Sequence, residues 1–256
     1  MEQVISVATN EDIFKVKEEN KVYKLFIGTP AYKWPADPHF VKSVKNVIEH
    51  PGLEVEFRAV IGDAHIERAR AMVLAEYLDL REEKGFDYFL NIDWDIEFNA
   101  DHVYNMCQRN LPVLGGPYAF KSNVAGKAGQ IVFRPAGEKP TEDHLLKARY
   151  LGGGFTMIRD DAITQVCKAY PELKFRENPD MHDPPRDTWA IWNPILLERP
   201  DWGEGCREIL SEDYSLCERF WEMGVPMHVD LTVVLNHWDG ETCYSLPLRE
   251  EPKNDD

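Results

Sequence analysis

The sequence has few cationic side chains and few cysteines. Its 29 lysines and arginines stand against 45 aspartates and glutamates, which gives a net charge of −16. Such a field repels phosphate backbones, so nucleic acid is not an expected partner, whereas a small phosphorylated ligand held through a metal ion is compatible with it. The five cysteines are odd in number and contain no CxxC pair. This argues against a disulfide framework or a structural zinc site and favours a reducing compartment.

Segments that would target or anchor the chain are also lacking. The first 20 residues are polar and charged, without the basic and apolar regions of a signal peptide. No apolar run is long enough to cross a bilayer. We therefore expect a cytoplasmic protein without membrane insertion, in which residues 1–20 form an arm and residues 247–256 an acidic tail.

The first half of the chain alternates between the periods of a strand and of a helix. Gly28 and Pro30 are expected to end the first strand, Pro51-Gly52 the first helix, and Asn99 to cap the third helix. The order β-α-β-α-β-α predicts an α/β fold with a mostly parallel sheet flanked by helices. The expected elements are strands at 25–27, 53–60 and 86–92 and helices at 40–50, 65–80 and 100–110.

Beyond residue 110 the periodicity weakens. Residues 171–205 hold six prolines and three tryptophans (Trp189, Trp192, Trp202) without a clear period, which predicts a long irregular loop that acts as a lid or binding loop. Its tryptophans either stack on sugar rings or pack the loop down. The other expected elements are strands at 129–134, 154–159 and 226–238 and helices at 160–169 and 211–224, the last capped by Ser211.

The stretch "FLNIDWDIEF" (89–98) ends a buried strand with two carboxylates, Asp93 and Asp95. Side chains at i and i+2 of a strand share a face, so the pair should point together while Trp94 turns away. At the carboxyl end of a strand such a pair suits a divalent cation, but a solvated strand end would look the same. A phosphatase-type pair is set aside because it belongs after the first strand.

Three later features could serve the same site. Gly152, Gly153 and Gly154 allow close backbone approach and unusual dihedral angles, or merely form a turn. Glu212 and Asp213 begin a helix, where the dipole favours acids, but Asp213 could also be a general base for a sugar hydroxyl. His237 follows a strand and is either a structural residue or a metal ligand that would favour Mn²⁺ over Mg²⁺.

Together these segments resemble the GT-A glycosyltransferases. The strand ending in "DWD", then "GGPY", "LGGGFTMIRDD", "SEDYSLCERFWEMG" and a histidine after the last strand follow the family's order over residues 22–240. The likeness is greatest to inverting, family 2-like enzymes, including small viral forms. It implies one Rossmann-like GT-A domain at 21–246, with a nucleotide-binding half (21–100) and an acceptor-binding half (101–246) that contains loop 171–205.

The resemblance also implies roles for individual residues. The reaction would be transfer from a nucleotide sugar, with UDP-sugars favoured, to a hydroxyl of a glycan or other acceptor, with Mn²⁺ or Mg²⁺ as cofactor. The implied roles are nucleobase binding by Thr29, Pro30 and Tyr32; base and phosphate binding by Asp63 and Arg68, with Arg70 as a weaker candidate; ribose or metal binding by Asp93; metal ligation by Asp95 and His237; donor and acceptor contact by Gly152, Gly153 and Gly154; acceptor binding by Glu212; and base catalysis by Asp213.

Other interpretations rest on the points where this sequence differs from the family's motifs and on its local charge. "CERFW" only partly matches the Gln-x-x-Arg-Trp motif of polymerising members, which argues against a processive polymerase. A sugar-nucleotide pyrophosphorylase would need a glycine-rich, basic first loop, and "GTPAYKWPADP" has one glycine and one lysine. A non-catalytic nucleotide-sugar or glycan-binding module would not need an acid at 213. A basic strip of Lys121, Lys127 and Arg134 could face a nucleic-acid acceptor or be a solvated edge.

Overall fold

A computed structural model describes residues 21–33, 36–121, 130–137, 139–178 and 184–246. The predicted arm at 1–20, the predicted tail at 247–256 and Lys127 lie outside these residues. Among the helices described, none has the length and apolarity needed to cross a membrane.

Within the described residues, five α-helices form where the periodicity predicts them. Asn99 caps the third helix as expected, accepting a hydrogen bond from the amide of Asp101. Asp37 caps the first helix by accepting from the amide of His39, and Gly85 ends the second helix in the left-handed conformation with φ of 64°. The second helix extends four residues beyond its predicted end, as far as this glycine. The helices are α1 (Pro38–Ile48), α2 (Ile66–Lys84), α3 (Ala100–Arg109), α4 (Asp160–Ala169) and α5 (Glu212–Glu222).

The strands form one large sheet and three small ones. In chain order they are β1 (Tyr23–Ala31), β2 (Leu53–Ile61), β3 (Tyr88–Ile92), β4 (Ile96–Glu97), β5 (Val113–Gly115), β6 (Phe133–Pro135), β7 (Leu145–Leu151), β8 (Phe155–Arg159), β9 (Lys174–Arg176), β10 (Asp187–Trp189), β11 (Leu196–Glu198), β12 (Arg207–Ile209), β13 (Met227–Asp230), β14 (Asn236–Asp239) and β15 (Thr242–Ser245). The large sheet has the order β2-β1-β3-β8-β5-β13-β7-β6.

Six of the eight strands in this sheet run in one direction, and β7 and β8 run against them. Apolar residues of α2, α4 and α5 cover one face, and those of α1 and α3 cover the other. Each helix buries one apolar side against the sheet, which removes both faces of the central strands from water. The predicted α/β class, with a mostly parallel sheet flanked by helices, is confirmed.

The first strand does not end at Gly28 as expected. It continues through Pro30 to Ala31, paired with β2 over its whole length. Its pairing with β3, however, stops at Gly28, opposite Asn91. Beyond Gly28, β1 has no neighbouring strand on the side of β3. Pro30 has no amide hydrogen to donate, and on that side no strand is present to accept one, so no hydrogen bond between strands is lost.

Residues 171–205 are more regular than predicted. Two antiparallel strand pairs form here: β9 with β10, both within the segment, and β11 with β12, which lies just beyond residue 205. Thr188 donates to the carbonyl of Ala71, which fastens the first pair to α2. Trp192 is 2% exposed and belongs to the core, whereas Trp202 is 57% exposed beneath the guanidinium of Arg199. Thus at least Trp192 serves packing rather than sugar stacking.

The predicted last strand at 226–238 is interrupted. It divides into β13, which joins the large sheet, and β14, which joins a separate sheet with β4 and β15. Between them, Asp230 accepts hydrogen bonds from the amide and hydroxyl of Thr232, which turns the chain. This turn carries the chain from the sheet interior to the edge where β3 ends.

Candidate active site

The carboxyl ends of β1, β2 and β3 border a cavity of about 160 Å³, here called the small cavity. Because these strands are adjacent and parallel, the residues that follow them converge. Pro30 and Tyr32 reach it from β1, Asp63 from beyond β2, and Asp93 and Asp95 from beyond β3. Five of the predicted donor and metal residues therefore surround one cavity, at the edge where open α/β sheets bind ligands.

Thr29 and Arg68 lie beside the small cavity without lining it. Thr29 is fully buried, and its hydroxyl donates to the carbonyl of Ile92 at the end of β3. Arg68 is 56% exposed and binds Asp63 through Nε–Oδ2 at 2.6 Å and Nη2–Oδ1 at 2.7 Å. These bonds lower the pKa of Asp63 below its ordinary value. Thr29 thus fixes the strand ends, and Arg68 orients Asp63.

Asp93 and Asp95 lie in a turn after β3 rather than in the strand. The strand ends at Ile92, and the amide of Ile96 donates to the carbonyl of Asp93 at 3.1 Å. Side-chain alternation along a strand therefore does not apply here. Trp94 lines the same cavity as the pair and packs against the core cluster that includes residues of α1 and α3. The turn sends the two carboxylates to different partners.

Asp95 lies between Lys121 and His237. Its Oδ2 accepts a hydrogen bond from Lys121 Nζ, and its Oδ1 is 3.5 Å from Nε2 of His237. Burial opposes ionisation, but His237 and Lys121 together lower the pKa of Asp95 below its ordinary value. His237 reaches this position because β14 pairs with β4, with His237 opposite Ile96.

His237 is oriented by a backbone carbonyl. Its Nδ1 is 2.8 Å from the carbonyl oxygen of Ala119, and since a carbonyl only accepts, Nδ1 carries the hydrogen. The other ring nitrogen, Nε2, lies toward Oδ1 of Asp95. A charged ring donates toward this carboxylate, and that is the state that lowers the pKa of Asp95. A neutral ring presents a lone pair there and leaves Oδ1 buried without a hydrogen-bond partner among the described residues, an arrangement that fits a divalent cation.

The predicted third ligand, Asp93, is turned toward Arg70 instead. Within the described part of the chain, no group of three or more His, Cys, Asp or Glu side chains is placed to hold a metal ion. The donor chemistry of Asp95 and His237 thus fits a metal, while the three-residue ligand set remains a prediction.

Arg70 connects the two acidic motifs from inside the protein. Its side chain is 2% exposed, and Nη2 lies 3.0 Å from Asp93 Oδ1 and 3.5 Å from Glu212 Oε1. Nη1 donates to the carbonyl of Gly153 at 3.1 Å. Burial alone would lower the pKa of Arg70, but the carboxylates around it raise that pKa above its ordinary value. Burial raises the pKa of both Asp93 and Glu212, although Arg70 opposes the shift.

The glycine run fits between these groups because it lacks side chains. A Cβ on Gly153 would lie 2.7 Å from Arg70 Nη2, and one on Gly154 would lie 2.8 Å from the Tyr118 hydroxyl. None of the three glycines at 152–154 has a positive φ. The predicted need for unusual dihedral angles is therefore wrong. The requirement is for space, which lets the backbone approach Arg70 and Tyr118.

Asp213 is fixed at the start of α5 by three donors. Its Oδ2 accepts from the amide of Gly153 at 3.1 Å, and its Oδ1 accepts from the amide of Tyr214 at 2.8 Å and from the Ser211 hydroxyl. Ser211 precedes the helix as predicted, but its side chain bonds no helix amide. It orients Asp213 instead. Glu212, the neighbouring acid, is turned toward Arg70.

Comparison with solved structures gives a weak structural likeness. The crystal structure of a glycosyltransferase involved in the glycosylation of the major capsid of PBCV-1 aligns with a TM-score of 0.31 and 12% sequence identity. The alignment covers 58% of this chain and 66% of that protein, just under two thirds of its length. No family model matches the sequence, and no curated protein matches it. A TM-score this low establishes neither a shared fold nor a shared activity.

Arg70, Tyr118 and Lys121 make contacts in this site that their positions in the sequence hardly indicate. Arg70 had a local signal, because it lies on the same side of α2 as Ile66, Val73 and Tyr77, and a charged residue within an apolar stripe needs a buried partner. Tyr118 and Lys121 had no comparable signal. Their partners, Gly154 and Asp95, lie 36 and 26 residues away in sequence.

Replacing Arg70 by methionine is expected to lower the free energy of unfolding by roughly 3 kcal/mol, because it leaves Asp93 and Glu212 facing each other without a cation. This loss is at the low end of what removing one partner of a buried ion pair costs, because both carboxylates keep some contact with solvent. Urea denaturation of the R70M and R176M variants provides the measurement and its matched control. Arg176 is exposed, and its partner Asp187 keeps the ion pair with Lys174, so R176M should unfold as the wild type does. Equal effects of the two substitutions would contradict this role for Arg70.

Proposed function

We propose that this protein is an inverting GT-A-type glycosyltransferase that moves a sugar from a nucleotide-diphosphate sugar, with UDP-sugars favoured, to a hydroxyl of a glycan. The observation that carries the proposal is the convergence at one sheet edge of residues that lie far apart in the sequence. Asp93, Gly153 and Glu212 are joined through Arg70, the amide of Gly153 bonds Asp213, and Asp95 faces His237. These are the residues to which the motif order assigns donor binding, metal binding and base catalysis.

The reaction would be a single displacement at the anomeric carbon. The acceptor oxygen forms the new bond to this carbon while the bond to the diphosphate oxygen breaks, and the nucleoside diphosphate leaves with the bonding electron pair. The acceptor hydroxyl gives its proton to the carboxylate of Asp213, because a sugar hydroxyl is too weakly acidic to ionise beforehand. Attack opposite the leaving group inverts the anomeric configuration.

The surrounding residues would hold the two substrates. The small cavity would take the nucleotide, with Pro30 and Tyr32 against the base and Asp63, oriented by Arg68, on the base or phosphate. Asp93 would contact the ribose. Thr29, buried beneath them, supports this wall through its bond to Ile92. The glycines at 152–154 would let the donor sugar and acceptor approach the backbone, with Glu212 on acceptor hydroxyls.

Asp95 and His237 would hold the cofactor, Mn²⁺ or Mg²⁺, with Asp93 as the further predicted ligand. Such a cation, when bound, neutralises charge on the departing diphosphate. The mixed nitrogen and oxygen donor set favours Mn²⁺ over Mg²⁺. Ala119 contributes by fixing the imidazole through its carbonyl, and Lys121 places a second positive charge on the same carboxylate.

A thermal-shift panel of UDP-, GDP- and TDP-sugars, each with and without Mn²⁺, tests the donor class. A ligand at about one hundred times its Kd adds roughly 2.7 kcal/mol to stability, which raises Tm by roughly 5 °C or more in a chain of this size. We expect a UDP-sugar with Mn²⁺ to give the largest rise. If no nucleotide sugar raises Tm under either condition, the proposal is wrong.

A further inference from the structure

A second and larger cavity, of about 440 Å³, lies beside the small one and is called here the large cavity. Its walls are the start of α2, residues 172–175, which include part of β9, and residues Ala190 and Asn193. Since α2 follows the carboxyl end of β2, this cavity opens at the same edge of the sheet as the small one. Its volume is within the range of ligand pockets. None of the roles assigned above uses its wall at 172–175.

The two cavities share one wall, the beginning of α2. Ala64 and Ile66 line the small cavity, whereas His65 and Glu67 line the large one. Arg68 lines the large cavity while its guanidinium binds Asp63, which lines the small cavity. A ligand in the large cavity would therefore lie next to a nucleotide in the small one.

Hydrogen bonds connect the wall of the large cavity at Asn193 to α5. Asn193 lines it, and the carbonyl of Asn193 accepts a hydrogen bond of 3.0 Å from Arg219. Two residues further along the chain, the amide of Ile195 bonds the hydroxyl of Ser215 at 3.0 Å. Ser215 is two residues beyond Asp213 on the same helix. The wall at Asn193 is thus tied to the helix that presents the predicted base.

The lining of the large cavity carries no surplus of positive charge. Its two cations each pair with a carboxylate: Arg68 with Asp63, and Lys174 with Asp187 at 2.8 Å. Two further carboxylates, Glu67 and Glu172, line the cavity. An anionic ligand would find little electrostatic attraction in this cavity and would be repelled by these two carboxylates.

The remainder of the lining suits a neutral sugar ring. Leu173 and Phe175 provide an apolar surface for the C–H groups of a ring. The carboxylate of Glu172 can accept hydrogen bonds from hydroxyl groups, and the amide of Asn193 can both donate and accept. Ligand sites combine an apolar lining with a few polar groups in this way.

We propose that the large cavity is the acceptor subsite and that the acceptor is a neutral saccharide. The inference rests on the proposed function, because an acceptor exists only if a sugar is transferred. The hydroxyl of this saccharide would supply the oxygen that bonds to the anomeric carbon of the donor, with its proton passing to Asp213 and the nucleoside diphosphate leaving.

The test compares neutral, uronic-acid and phosphorylated oligosaccharides as ligands of the full chain by saturation-transfer NMR, each with and without UDP. Neutral saccharides are expected to bind, and F175A and N193A should each weaken that binding at least tenfold. R176A is the matched control, because Arg176 follows Phe175 on β9, is 70% exposed and does not line the cavity. It should bind as the wild type does. Should F175A unfold, E172Q replaces it.

Two results would overturn the proposal: stronger binding of the anionic saccharides, or neutral binding that F175A and N193A leave unchanged. Displacement of the neutral saccharide by UDP at the same residues would also overturn it, since the cavity would then belong to the donor. Failure of the proposed function is recognised separately, by nucleotide sugars that do not raise Tm. A wrong acceptor subsite instead leaves the nucleotide-sugar response intact.

Discussion

Replacing Asp213 by asparagine is expected to lower kcat by about 10² to 10⁴, the range that a positioned general base contributes. An asparagine side chain has nearly the same shape, and its one oxygen can still accept from the Tyr214 amide and the Ser211 hydroxyl, so the start of α5 should keep its structure although the bond from the Gly153 amide is lost. What it loses is the ability to take the acceptor proton. KM for the nucleotide sugar should change little, because Asp213 makes no contact with the donor cavity. Steady-state kinetics with saturating donor and acceptor measure the effect.

Glu212 provides the matched control for this substitution. It is the neighbouring acid on the same helix turn, and burial raises its pKa despite Arg70. If Glu212 only binds acceptor hydroxyls, E212Q should mainly raise KM for the acceptor. Near wild-type kcat in D213N, together with a large loss of kcat in E212Q, would assign the base to Glu212 instead. Retention of the anomeric configuration would remove the single-displacement mechanism altogether.

Replacing Asp95 by alanine is expected to abolish turnover. The substitution removes the carboxylate that faces Nε2 of His237 and leaves Lys121 without its partner. A divalent cation would lose one of its two facing donors, so Mn²⁺ binding followed by electron paramagnetic resonance should also weaken strongly. D239A is a suitable control, because Asp239 is an exposed acid on the same strand as His237, two residues further on.

Chelation tests the same metal site without a mutation. Excess EDTA should stop turnover by the wild type, and added Mn²⁺ should restore it. Full activity in EDTA would mean that the cation is not needed. In that event Lys121, already bonded to Asp95, would be the positive charge that remains at this site.

Much of the fold was predictable because its signals are local. The period of apolar residues in α1 and α2 and the cap at Asn99 each depend on residues within a few positions of one another. Pro30 misled the prediction, because its tolerance depends on where the neighbouring strand β3 ends. The strand pairs β9–β10 and β11–β12 were missed because each of their strands has three residues, too few to show a period.

The candidate site was predictable in its members but not in its arrangement. The types and order of Asp93, Asp95, Asp213 and His237 are visible in the sequence. That His237 faces Asp95 depends on the pairing of β14 with β4, which only the folded chain defines. The central position of Arg70 likewise depends on α2 packing between the two acidic motifs.

Proton NMR of the wild type with a UDP-sugar, Mn²⁺ and a neutral oligosaccharide tests sugar transfer most directly. We predict loss of the donor's anomeric signal, release of UDP, and a new anomeric signal on the oligosaccharide with the opposite configuration to the donor. An unchanged donor that nevertheless raises Tm would indicate a binding module and contradict transfer. A product of unchanged configuration would contradict inversion by Asp213.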